Sequence, residues 1–292
     1  MTTGAEKAFL IAGGGGMLGT ALQCELIAHG VPFAAPAEHD FDITDPRCVA
    51  EVAGSFGAAH PGGVLVNAAA YTNVEKAEDE PEAAFLVNET GPRMLAEAAV
   101  SAGLRFVHVS TDFVFDGTKA GPYTERDEPA PLSVYGASKL AGERAVVEVM
   151  PDAVIVRTAW VFGPAGMNFP KKILEAARTR SALSVVTDEC GSPTYTPDLA
   201  AGIRVLVEHG ATGLFHLAGA GSCSRYELAT EILRLAGVNT PIEPVRAAAF
   251  PSKAPRPKNS VLDCSKAAAF GVTMPHWRDS LARFVAELAS AE

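Results

Sequence analysis

The stretch that most constrains this chain lies near its start. Phe9 to Ala12 is a short apolar run, and Gly13-Gly14-Gly15-Gly16-Met17-Leu18-Gly19 follows it at once. The run predicts a buried strand, and residues 20–29 predict a helix that stops at Gly30. Gly13, Gly16 and Gly19 form a G-x-x-G-x-x-G pattern inside the turn. Glycines permit a tight turn and let backbone approach a pyrophosphate, and the helix that follows offers N–H groups at its positive end. The chain has 27 glycines, so the pattern takes its meaning from standing between a strand and a helix.

The alternation continues. Residues 31–35 predict a second strand, but Pro36 and Ala37 offer neither an acid for a ribose 2′-hydroxyl nor an arginine for a 2′-phosphate. The choice between NADH and NADPH stays open. Residues 40–46 predict a loop and helix cap, with Asp42 also placed to meet an adenine. Residues 63–72 predict a strand running into a loop, where the small Ala68 to Ala70 would let a cofactor pass close. Residues 75–82 are charged and predict a solvated surface stretch, and residues 81–102 a long helix.

Residues 104–109 predict a strand that ends in Ser110-Thr111-Asp112, and carboxyl ends of parallel strands are where open α/β sheets place their chemistry. Residues 117–131 form a polar Gly/Pro loop, a candidate rim of the site, and residues 132–149 a helix. A strand at 153–158 follows, and after Trp160 the rhythm loosens. Helices are expected at 168–180, 196–210, 224–236 and 276–288, strands at 183–187 and 214–218, and a proline-rich loop over 241–259.

The fold class is α/β, a doubly wound parallel sheet with right-handed crossovers and a small C-terminal substrate-binding lobe. Residues 1–160, continued by about 190–220, are assigned to a dinucleotide-binding domain, and 161–189 with 221–292 to the lobe.

Composition narrows the partners. The 292 residues carry a net charge of −10 with no Lys/Arg block, which argues against polymeric nucleic acid. The cysteines Cys24, Cys48, Cys190, Cys223 and Cys264 form no C-x-x-C, as expected of reduced thiols in a cytoplasmic protein. No Cys/His cluster has metal-ligand spacing. The apolar run at Phe9 to Ala12 ends too soon for a signal peptide, and no run approaches the length of about 20 that spans a bilayer.

Tyr135-Gly136-Ala137-Ser138-Lys139 carries the chemistry. Tyr135 and Lys139 share one face of a helix, one turn apart. A nearby ammonium favours the phenolate, so the pair is expected to lower the phenol pKa and move protons near neutral pH. Thr111 supplies a hydroxyl to hold a carbonyl oxygen.

With these pieces in order, the chain resembles the extended short-chain dehydrogenases/reductases and, among them, the dTDP-4-dehydrorhamnose reductase family. The resemblance covers nearly the whole chain. It rests on Gly13 to Gly19, Asp42 to Asp45, Asn67 to Thr72 with Glu75 to Glu78, Ser110-Thr111-Asp112, and Tyr135 to Lys139. Arg157 to Val161, Asn168-Phe169, Gly191 to Thr194, and Arg256-Pro257 before Ser260 to Asp263 complete it.

The resemblance implies a Rossmann fold and NADPH or NADH as cofactor. Gly13, Gly16, Met17 and Leu18 would face the pyrophosphate, and Asp42 and Ile43 the adenine. Ala68, Ala70, Tyr71, Thr72 and Val109, with Tyr135 and Lys139, would complete the cofactor site. Thr111, Tyr135 and Lys139 would be catalytic. Thr72, Val74, Thr111, Asp112, Trp160, Asn168 and Arg256 would hold a dTDP-sugar.

The implied reaction reduces the 4-keto group of dTDP-4-dehydro-6-deoxy-L-mannose to give dTDP-L-rhamnose. Related 4,6-dehydratases carry Glu after the Thr-Asp pair. This chain has Phe113, which cannot move a proton, so reduction fits and dehydration does not. The family commonly has Tyr at the position of Phe113 and Asn at that of Ser133, which loosens the identity of the sugar. Ala21 stands where some relatives bind a metal at a dimer interface, so no metal and a monomer or weak homodimer are expected. Two alternatives remain: a reductase of another dTDP-4-keto sugar, such as a dTDP-dihydrostreptose synthase, and a non-catalytic partner like the regulatory subunit of methionine adenosyltransferase.

Overall fold

The computed structural model describes residues 7–250 and 252–291. Residues 1–6, Pro251 and Glu292, which the domain division or the proline-rich loop includes, lie outside the described residues.

The first half builds one sheet. Strand β1 (Phe9–Ala12) is buried along its whole length. Helix α1 (Met17–Ala28) begins before residue 20, because Gly19 belongs to the helix. A Cβ there would lie 2.1 Å from the Gly13 carbonyl oxygen, so this glycine lets the helix press onto the turn. Strand β2 (Phe33–Ala34) is shorter than expected; it is an edge strand, paired at Phe9↔Phe33 and Leu10↔Ala34.

Asp45 caps α2 (Pro46–Ala59), its carboxylate accepting from the Arg47 N–H at 2.8 Å, with Pro46 in the first turn. After β3 (Val64–Asn67) come the short α3 (Val74–Ala77) and α4 (Pro81–Phe85). A π-helical turn, Leu86–Thr90, carries α4 into α5 (Gly91–Ser101). The expected long helix is therefore present, with one wide turn inside it. Strand β4 (Arg105–Thr111), α6 (Val134–Val149) and β5 (Val154–Thr158) follow.

The second half mixes returns to the sheet with excursions. In order come β6 (Val161–Phe162), α7 (Phe169–Thr179), β7 (Leu183–Val186), β8 (Cys190–Gly191) and β9 (Thr194–Tyr195). Then come α8 (Thr196–Glu208), β10 (Gly213–His216), β11 (Cys223–Ser224) and α9 (Arg225–Leu235). Strand β12 (Ile242–Val245), α10 (Ser265–Ala269) and α11 (Trp277–Ala291) end the chain. β12 falls inside the expected proline-rich loop. It pairs in parallel with β7 in a two-stranded sheet, where Pro244 is tolerated because every strand is an edge.

The main sheet has six parallel strands in the order β10-β5-β4-β3-β1-β2. Successive side chains alternate between its faces. Phe9, Ile11, Val64 and Val66 join the core under α1 and α8, and Leu10, Leu65 and Phe106 join the core under α2 and α5. A third core, around Phe162, Ile232, Trp277 and Phe284, binds α7, α9 and α11. The chain leaves β1 for one edge and returns to β3 on the other side. This reversal opens a crevice at the carboxyl ends of β1 and β3, where such sheets bind ligands. Among the described residues no helix is long and apolar enough to cross a membrane.

Candidate active site

The crevice is a cavity of about 710 Å³. Gly13, Gly16, Met17 and Leu18 form its floor, and Ala68, Ala70 and Thr72 one wall. Gly13 has φ +79°, and a Cβ on it would lie 2.6 Å from the Ala69 nitrogen. Only glycine fits there. Gly16 caps α1 without a side-chain hydrogen bond, so the first N–H groups of the helix stay available to an anion. Small wall residues, a cradle that a Cβ would fill and an uncapped helix end together fit a dinucleotide. Asp42 and Ile43 line the far end. The Thr44 hydroxyl and backbone N–H both donate to Asp42 and hold its carboxyl below the ordinary range.

Val109, Tyr135 and Lys139 line the same cavity. Ser133 caps α6 by accepting from the Gly136 N–H at 3.1 Å. Gly136 lets the helix approach the Phe113 carbonyl, 2.3 Å from where its Cβ would be. The Phe113 ring meets Tyr135 edge-on at 5.5 Å between centroids. These contacts fix where the phenol points.

The expectation that Lys139 acidifies Tyr135 needs correction. Burial pushes the phenol up to about 12; a hydrogen bond from Thr111 works downward and the Asp112 charge upward. Lys139 is 2% exposed and donates to the Val109 carbonyl oxygen at 2.7 Å. Burial pulls its ammonium down to about 8, against the charge of Glu143. Loss of hydration at both groups outweighs their helical spacing.

Thr111 is 6% exposed; its hydroxyl donates to Asp112 Oδ1 at 3.0 Å and accepts from the Phe113 N–H at 3.2 Å. Burial raises Asp112 to about 6, opposed by the Ser260 and Thr111 hydroxyls.

A second cavity of about 960 Å³ lies by the C-terminal elements, between α7, β7 and the segment around residues 247–258. Arg256, Lys258, Lys172 and Arg225 supply cations to it, and Glu75 and Glu189 acids. Glu75 lies at the surface as expected, its side chain 43% exposed, and it is also tied to a distant segment. It accepts from Arg256 Nη2 at 2.8 Å, the Ser252 hydroxyl at 2.6 Å and the Lys253 N–H at 2.9 Å. Arg256 first, then Ser252, holds its carboxyl down at about 2.

Among the expected site residues, Arg256 lines this second cavity and Thr72 the first. Val74, Thr111, Asp112, Trp160 and Asn168 line neither. Asn168 uses both ends of its side chain on the fold: Oδ1 caps α7, and Nδ2 donates to the Gly163 carbonyl oxygen at 2.7 Å. Tyr71 does not line the first cavity and donates to Glu80 at 2.8 Å.

The description "RmlD substrate binding domain" belongs to a family model that matches residues 7–290. The chain belongs to this family. It is 39% identical to dTDP-4-dehydrorhamnose reductase of Mycobacterium tuberculosis, over 99% of this chain and 95% of the relative. It is 40% identical to dTDP-4-keto-6-deoxy-D-glucose reductase of Streptomyces niveus, over 94% of each. Among solved structures it resembles dTDP-4-dehydrorhamnose reductase of Bacillus anthracis in complex with NADP, with 36% identity, a TM-score of 0.92, and coverage of 97% of this chain and 99% of that one.

Four residues of this RmlD-family site are given no role by the sequence reading. Asn88, on the π turn, is fully buried; its side chain accepts from the Tyr71 N–H and donates to the Tyr71 carbonyl and the Ser138 hydroxyl. It thereby ties the loop after β3 to α6. Glu143 and Arg157 form a buried pair beside Ser110. Arg225 lies over the Trp160 ring, 3.4 Å from its centroid. A signal existed for Arg225: a cation in the first turn of a helix opposes the dipole there.

Proposed function

We propose that this chain is an NAD(P)H-dependent reductase that converts dTDP-4-dehydro-6-deoxy-L-mannose to dTDP-L-rhamnose in the cytoplasm, as a monomer or weak homodimer. The observation that carries this reading is the meeting of Tyr135 and Lys139 with the glycine turn in the lining of one cavity. Bound NAD(P)H supplies the hydride.

The chain's own residues handle the oxygen. Tyr135 is protonated at neutral pH, the form that a reduction needs, and gives its proton to the developing alkoxide. Thr111 turns its one hydroxyl proton from Asp112 Oδ1 to the same oxygen. Lys139 brings positive charge to the wall and holds the nicotinamide ribose hydroxyls. Gly13, Gly16, Met17 and Leu18 receive the pyrophosphate, and Asp42 and Ile43 the adenine. Asp112 and Trp160 orient the sugar, and Arg256 meets the diphosphate. In this reading residues 1–160 and about 190–220 carry the cofactor, and 161–189 with 221–292 carry the sugar nucleotide.

Reduction of another dTDP-4-keto sugar is the second reading, supported by the similar identity to the S. niveus enzyme. The purified chain is given dTDP-4-dehydro-6-deoxy-L-mannose or dTDP-4-keto-6-deoxy-D-glucose, with NADH or NADPH, and the product sugar is identified. dTDP-L-rhamnose from the first substrate is expected. Turnover of the second alone would replace the first reading with the second, and no cofactor oxidation with either would oppose both.

A further inference from the structure

Arg225 opens α9, and its guanidinium lies on the Trp160 indole with the Phe169 ring 5.1 Å away. The side chain is 17% exposed. Its ionic partner is Glu189, whose Oε2 is 3.9 Å from Nε, beyond hydrogen-bond distance. Among the described residues the guanidinium makes no hydrogen bond, so its N–H donors, fixed in a planar fork, are unspent.

The arrangement holds the group in place against opposing forces. The helix dipole disfavours a cation in the first turn. Trp160 has φ +47°, a left-handed backbone that an aromatic residue rarely adopts. Its ring is wedged against Gly191, where a Cβ would come within 2.3 Å of the indole. A strained tryptophan, a glycine beneath it and an arginine above it make a shelf.

The shelf stands between two regions. Asp112, next to Thr111, lies close enough for its charge to act on Arg225, and so does Arg256. Arg225 also lines the cavity that holds Arg256, Lys258 and Lys172. It therefore sits between the reacting end and the cation-rich end. A nucleotide sugar carries its diphosphate between sugar and nucleoside.

We propose that Arg225 is a substrate-binding residue that grips the sugar-side phosphate of the diphosphate through a bidentate pair, with Trp160 as its shelf. This rests on the nucleotide-sugar reading above. A planar fork suits two phosphate oxygens at once, and a lysine ammonium offers only a point charge.

The test measures binding of dTDP, dTMP and NADPH by calorimetry to the wild type, Arg225→Gln and Arg225→Lys, with thermal melts of all three. Removing a charge-assisted pair should weaken dTDP about 10–100-fold in Arg225→Gln. dTMP, which lacks the second phosphate, and NADPH should bind as to the wild type. Arg225→Lys should recover only part of the loss. Equal weakening of dTDP and dTMP, or unchanged dTDP binding, would overturn the assignment while leaving the reductase reading intact. If the wild type bound neither thymidine nucleotide, that reading would fail instead, and UDP against UMP would then decide the role of Arg225; indifference to that pair would overturn it.

Discussion

The Glu143 carboxylate holds Arg157 through both oxygens, with Nε to Oε1 at 2.8 Å and Nη2 to Oε2 at 2.7 Å. The Ser110 hydroxyl donates to the same Oε1. Side-chain exposure is 3% for Arg157 and 8% for Glu143. The contact joins α6, β4 and β5, one helical turn beyond Lys139 and one residue before Thr111. Glu143→Ala would strand a buried guanidinium, and a loss of about 3–5 kcal/mol is expected from urea unfolding.

The same carboxylate should set an activity limit at alkaline pH. Burial pulls Lys139 down to about 8, and Glu143 pulls it upward. The working ammonium is present below that pKa and lost above it. Glu143→Gln removes the upward pull, so the alkaline fall in kcat/KM should move to lower pH. An unmoved limb would separate Glu143 from Lys139.

Asp112 should limit stability above weakly acid pH. Its folded pKa is raised to about 6, so the native state binds its proton more tightly than the unfolded chain does. Stability from this group is therefore present at low pH and is lost as pH rises through about 6. Asp112→Asn should match the wild type in melts near pH 4 and exceed it at pH 7, by on the order of 2 kcal/mol. It should bind the sugar nucleotide less well.

Gly13→Ala would place a Cβ 2.6 Å from the Ala69 nitrogen, at a residue with φ +79°. NADPH affinity should fall at least about tenfold, the equivalent of about 1.4 kcal/mol, while dTDP still binds. Fluorescence titration with NADPH checks this.

The βα alternation made the first half of the fold legible, because buried parallel strands are short apolar runs and their helices end at glycines. Part of the lining of the first cavity was legible for the same reason: Gly13 to Leu18 and Ala68 follow the ends of β1 and β3 directly. The C-terminal third was less so. β12 carries a proline, and its partner β7 lies far away in sequence, so no local pattern marks the pair. The π turn at Asn88 is set by contacts to Tyr71 and Ser138, which helical periodicity cannot encode. The acidity of Tyr135 was misjudged because spacing shows which residues are neighbours and says nothing of their hydration. The partners of the exposed Glu75 were hidden for a similar reason, since Ser252, Lys253 and Arg256 reach it from a distant segment.

The most direct measurement is turnover of dTDP-4-dehydro-6-deoxy-L-mannose by Tyr135→Phe, with NADPH binding measured on the same preparation. The variant should bind NADPH as the wild type does and lose about 10²–10⁴-fold in kcat, the share that positioned proton transfer contributes. Turnover at the wild-type rate with the cofactor bound would contradict the assignment of the proton to Tyr135.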